Sequence, residues 1–132
     1  MRYQFRVWNL MSKKMMGWGE IFDLPAWEIF PGTPEQRAFN VMQYTGLKDK
    51  DGTDIYEGDI FEENYFDIEF DEQVIKRYEV IFNNGAFMAK PIGIKSRKFP
   101  LYLVFMFANK DRSNDMKVLG NIYETPELLK TK

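Results

Sequence analysis

Between residues 51 and 75 the sequence carries ten acidic residues and no Lys or Arg. Carboxylates at that density could hold a divalent cation, and Asp54, Glu57, Asp59, Glu62 and Glu63 are the set a Mg²⁺-dependent hydrolase would draw on. Strand alternation puts Glu57 and Asp59 on one face, but with Tyr56 and Ile60 on the other the pattern is also that of a solvated strand, which is the reading adopted. Asp49-Lys50-Asp51-Gly52-Thr53-Asp54 superficially resembles a calcium loop. Counted from Asp49, glycine falls at position 4 rather than 6, and position 12 is Ile60 rather than Glu. A turn with solvated carboxylates fits better, and no metal or cofactor is expected.

Other chemistry is narrower still. The sequence has no Cys and no His, which removes disulfides, thiol nucleophiles, Ser-His-Asp machinery and the usual zinc ligand sets. No catalytic residue is expected. A second constellation is basic: residues 76 to 132 hold eleven basic and five acidic residues. Lys90, Lys95, Arg97, Lys98, Lys110 and Arg112 lie near Phe99 and Tyr102, and single-strand nucleic-acid binders join a positive groove to exposed rings. Here the rings alternate too little with the charges and are better read as core. Segregated charge instead suggests oppositely charged strands and protomers that steer their own assembly.

The elements that must position these residues are mostly strands. With 45% hydrophobic and 17% aromatic residues, the chain can fill the core of a single domain over residues 1–132, and it favours strands over helices. Tyr3, Phe5 and Val7 alternate with Arg2, Gln4 and Arg6 as a first strand. Residues 11–30, rich in Met and Trp and broken by Gly17, Gly19 and Pro25, read as short irregular strands covering one end of the core. Thr33-Pro34-Glu35-Gln36 predicts a short helix ending near Phe39.

Residues 41–45 and 55–61 read as strands, joined by a loop whose aspartates accept backbone N–H groups two residues on. Further strands follow at 59–66, 73–82 and 86–92, with Asn84-Gly85 as a two-residue hairpin turn. The apolar block 99–107 predicts a strand buried on both faces or sandwiched in an oligomer interface. Residues 108–115 read as a charged turn and 116–123 as the closing strand, with a bend at Gly120-Asn121 where the Asn side chain bonds backbone. Thr125-Pro126-Glu127 can start a short terminal helix. The expected fold is mainly β: a bent antiparallel sheet forming a partly open SH3-like barrel, with one or two short helices. No apolar run approaches the roughly 20 residues of a membrane span, and no signal-peptide pattern follows Met1, so a cytoplasmic protein without a membrane partner is expected.

Two blocks carry a resemblance. Gln43-Tyr44-Thr45-Gly46-Leu47-Lys48-Asp49-Lys50-Asp51-Gly52, followed by Ile55-Tyr56-Glu57-Gly58-Asp59-Ile60, resembles the core motif of the YopX family of phage and prophage proteins. Val118-Leu119-Gly120-Asn121-Ile122-Tyr123-Glu124 with Pro126-Glu127-Leu128-Leu129 is similar to that family's C-terminal signature, and Phe5-Arg6-Val7-Trp8 to its opening. The resemblance implies a mostly β, often prophage-borne protein of the bacterial host cytoplasm, from a family with no established catalytic residues. The functional expectation is a non-enzymatic accessory protein acting as an oligomeric interaction or assembly module. Its protein partner is unknown, and its contacts come from Lys48, Asp49, Asp51, Tyr56, Glu57 and Asp59 and from a homo-oligomer surface that covers sheet edges. A nucleic-acid-binding module using the basic residues between 90 and 112 is the alternative, and a carboxylate-metal hydrolase the third reading.

Overall fold

Strands make up most of the regular structure, as β-branched and aromatic side chains favour. The computed structural model describes residues 4–21, 39–93 and 100–130, and the chain divides into two compact units, Met1–Tyr44 and Thr45–Lys132.

In the first unit, β1 (Phe5–Asn9) pairs antiparallel with β2 (Lys14–Met16) and with the start of β3 (Phe39–Lys48), placing Val7 opposite both Met16 and Val41. The turn between β1 and β2 is closed by Asn9, whose Oδ1 accepts the N–H groups of Met11 and Ser12. Val7 and Ile21 are buried among Phe5, Met16, Trp18, Phe39 and Val41. Within the stretch read as irregular strands, β2 is a strand, but Trp18–Ile21 forms a single helical turn, α1. Glu20 reaches back to accept the Gly17 N–H at 3.2 Å, which satisfies a donor that a strand would pair otherwise. The helix predicted from Thr33 lies outside the described residues, and Phe39, its expected end, already opens β3.

The second unit holds the end of β3 beside β4 (Asp54–Tyr56), then β5 (Asp59–Asp67), β6 (Glu72–Asn83), β7 (Ala86–Ile92), β8 (Leu101–Tyr102), α2 (Leu103–Ala108), α3 (Lys110–Ser113), β9 (Met116–Asn121) and a 3-10 turn, Pro126–Leu129. Five strands form an antiparallel sheet in the order β8-β7-β6-β5-β9. Register places Phe61 between Tyr78 and Val118, and a bulge between Ile60 and Phe61 sharpens the curl of β5 against β9. Phe61, fully buried, stacks on Tyr78 at 5.2 Å and meets the Phe107 edge at 5.5 Å. Ile55, Val80, Ala89, Leu103, Met106 and Met116 complete this core. The mainly β expectation holds, as a curled antiparallel sheet with a few short helices. Asn84 and Gly85 both take positive φ, 51° and 80°, as a two-residue type I′ hairpin requires.

The apolar block at 99–107 is corrected. Phe99 lies outside the described residues; of the rest, Leu101 and Tyr102 form a short strand and Leu103–Ala108 is helical. Leu103 and Met106 are buried one helical turn apart, whereas Val104 and Phe105 point to solvent. A short apolar run fits a buried strand or a helix equally by periodicity, and Leu, Met and Ala tip it toward the helix. The turn expected next contains α3, capped by Asn109 Oδ1 accepting from the N–H groups of Asp111 and Arg112.

The acidic strand runs between strands that carry basic residues. Glu62 of β5 stands opposite Arg77 of β6 and Lys117 of β9, and Glu63 opposite Lys76. Charges segregated along the sequence become cross-strand neighbours in the sheet. Among the described residues no helix is long and apolar enough to cross a membrane.

Candidate functional site

Residues 45–61 of the first sequence block and the second block at 118–129 meet in the second unit, and their polar side chains grip backbone. Asp49 is 8% exposed. Its Oδ1 accepts the N–H groups of Asp51 and Thr53, each at 2.9 Å, and its Oδ2 accepts the Val118 N–H at 2.9 Å. The Lys50 N–H adds a bond to the Met116 carbonyl at 3.0 Å. One carboxylate thus folds the 48–54 loop and fixes it to β9.

Asp59 is 1% exposed, and its Oδ2 accepts the Tyr56 N–H at 2.8 Å, bracing the tight turn from β4 to β5. Gly58 in that turn donates to the Val80 carbonyl at 2.8 Å and accepts from Ile122 N–H at 2.9 Å. Asn121, opposite Asp59 in the sheet, turns its Oδ1 to the N–H groups of Tyr123 and Glu124 and donates through Nδ2 to Glu124 Oε1. The bend with a backbone-bonding Asn is as expected.

Thr125 closes the block, its Oγ1 accepting the Asn121 N–H at 2.9 Å and donating to the Asn121 carbonyl at 3.0 Å. This turn lies directly on Gly120: a Cβ there would stand 2.0 Å from Thr125 Oγ1 and 3.0 Å from Leu128 Cδ1. Thr125 cannot give way without losing both bonds. Gly120→Ala is therefore expected to lower the unfolding free energy by about 2 kcal/mol, read as a lower urea midpoint. An unchanged midpoint would mean that the turn is not seated there.

Of the six expected contact residues, Asp49, Tyr56 and Asp59 face inward, while Lys48 and Asp51 are exposed and Glu57 is half-buried. Lys48 forms an ion pair with Asp54. The carboxylates weighed as metal ligands are dispersed among these tasks, and no three acidic side chains among the described residues are grouped to hold a metal ion. Glu57 sits in the turn after β4 rather than on a strand face with Asp59.

The basic set is likewise divided. Lys95, Arg97, Lys98 and Phe99 lie outside the described residues. Lys90 is exposed on β7, opposite Glu79 of β6, and Lys110 is exposed at the start of α3. Arg112 is engaged: its Nε donates to Glu63 Oε2 at 2.8 Å and its Nη2 to Glu63 Oε1 at 3.3 Å. The Tyr78 hydroxyl donates to the same Oε1 at 3.4 Å. Sequence reasoning missed this triad. The available signal was parity, since Glu63 shares the inward face of β5 with Phe61.

The triad carries the clearest electrostatic effects. The hydrogen bond to Glu63 raises the Arg112 guanidinium above its ordinary value. Burial, and after it the Glu63 carboxylate, push the Tyr78 hydroxyl from 10.0 up to about 12. A raised phenol holds its proton longer in the folded than in the unfolded chain. Its contribution is whole below pH 10.0 and is lost as pH climbs through about 12. Between pH 9 and about 11 the wild type is expected to lose more stability than Tyr78→Phe, measured by urea unfolding. Parallel losses would contradict the assignment.

The family model described as YopX protein matches residues 4–130. Among solved structures, the chain is similar to protein EF1440 from Enterococcus faecalis in its crystal structure. The TM-score is 0.62 at 22% identity, over 98% of this chain and 99% of that one, a likeness of fold. No curated protein matches the chain.

Proposed function

Because the chain belongs to the YopX family, we propose that it is a non-enzymatic phage or prophage accessory protein, working in the bacterial host cytoplasm as an interaction and assembly module made of several copies of itself. One observation carries this reading. The buried polar groups of the two motifs bind the chain's own backbone, while eleven large apolar side chains are exposed among the described residues. Exposed apolar side chains that neighbour one another, as Tyr102 and Phe105 do, favour contact with another protein surface. Lys48, Asp51 and Glu57 add polar contacts at the loop.

Size-exclusion chromatography with light scattering, read with the 260 to 280 nm absorbance ratio, tests the proposal. A nucleic-acid-free oligomer is expected, and a clean monomer at micromolar concentration would remove the assembly part. The nucleic-acid alternative has less to draw on, with Arg112 held by Glu63. Salt-sensitive binding that disappears when Lys95, Arg97 and Lys98 are neutralised would reinstate it.

A further inference from the structure

Among the described residues the β5–β6 hairpin outruns its sheet. β9 pairs with β5 no further than Glu63, and β7 pairs with β6 from Arg77 onward. Beyond these points, among the described residues, β5 and β6 continue as a two-stranded pair in four residue pairs from Asn64 opposite Ile75 to Asp67 opposite Glu72, with the Asn64 N–H still donated to the Asp115 carbonyl at 3.0 Å. Two-stranded ribbons are marginal in water by themselves. This one also exposes Phe66, Ile68, Phe70 and Ile75, with Ile68 87% and Phe70 69% exposed. Its tip is held in shape, because Asp67 Oδ1 accepts the N–H groups of Glu69 and Phe70. A preformed apolar tip loses little freedom when it docks.

The charge of the tip narrows its partner. Asp67, Glu69, Asp71 and Glu72 surround the apolar side chains with no basic residue among them. The same unit exposes a second apolar patch of opposite surroundings: Tyr102, Val104 and Phe105, with the Tyr102 and Phe105 rings edge to face at 5.6 Å. Lys110 follows α2, and Lys90 shares a sheet face with Met88, the residue opposite Tyr102. The ribbon cannot reach its own patch, since Met88 pairs with Ile81, six residues and about 20 Å along β6 from Ile75.

From these complementary surfaces we infer that the acidic, apolar β5–β6 hairpin of one copy docks on the Tyr102–Phe105 face of a second copy. The inference rests on the assembly reading and specifies its contact. Because the two surfaces differ, the contact is head-to-tail and propagates into a ring or a filament. Salt weakens it.

The test uses two variants, Ile68→Ser with Phe70→Ser in the hairpin, and Val104→Gln with Phe105→Gln in the patch. All four side chains are exposed, so circular dichroism should match the wild type. Sedimentation equilibrium is expected to find the wild type growing with concentration, and each variant alone weakened at least about tenfold in association. An equimolar mixture of the two variants is expected to form dimers and nothing larger, because one intact hairpin meets one intact patch. A mixture that stays monomeric, or variants that assemble like the wild type, would overturn the inference and leave the assembly reading standing. A wild type monomeric at roughly 100 μM, far above the dissociation constant of a small specific contact, would overturn both.

Discussion

Asp49→Ala is expected to cost about 3–4 kcal/mol of unfolding free energy, the largest effect of any single substitution in the loop. Its carboxylate accepts three backbone N–H groups, and hydrogen bonds to a charged acceptor contribute about 1.5–3 kcal/mol each. The total falls below their sum because water reaches the Asp51 and Thr53 amides once the loop opens, while Val118 sits in a strand with less access. Asp49→Asn separates charge from shape. The amide keeps one oxygen but turns an N–H₂ toward at least one of the three donors, so a loss of about 1–2 kcal/mol is expected. Urea unfolding ranks wild type above Asn above Ala. An Ala variant within about 0.5 kcal/mol of the wild type, the range of an ordinary surface change, would refute the role assigned to this side chain.

Arg112→Ala is expected to cost about 2–3 kcal/mol. Glu63 is 3% exposed, and its carboxylate is held by Arg112 with Tyr78 at its edge. Removing one partner of a buried pair costs about 3–5 kcal/mol, because a charge is left without compensation. The Arg112 side chain is 39% exposed, so water enters where it leaves, and the loss is discounted accordingly. The double variant Glu63→Leu with Arg112→Leu removes both charges and should recover most of the stability. If the double variant is no better than Arg112→Ala, the cost lies in lost packing rather than in the stranded carboxylate.

What was legible in the sequence was what local chemistry determines. Asn84-Gly85 specified its turn because positive φ at two adjacent positions is a local demand. The aspartate-rich loop was also legible in part, since Asp49 Oδ1 bonds within four residues. Its second oxygen reaches Val118, 69 residues away, and no local pattern specifies that. Glu63 and Arg112 are 49 residues apart. An isolated view of either gives a solvated charge. Asp59 read as a surface acid although its partner, the Tyr56 N–H, is only three residues away: strand alternation assigned it to a solvated face, whereas the turn at Gly58 aims it back at backbone. The block at 99–107 was illegible for another cause: Leu103 and Met106 satisfy a buried strand or a helical face until the sheet beneath them is known.

Asp49 and Asp59 of the first motif are structural side chains, their carboxylates committed to the chain's own backbone N–H groups. Amide hydrogen exchange followed by NMR tests it directly. The N–H groups of Asp51, Thr53, Tyr56 and Val118, all donated to Asp49 or Asp59, are predicted to exchange within about tenfold of core amides such as those of Phe61 and Val80. Exchange at Asp51 and Thr53 as fast as in the exposed 68–71 turn would contradict it, leaving Asp49 free to serve a ligand.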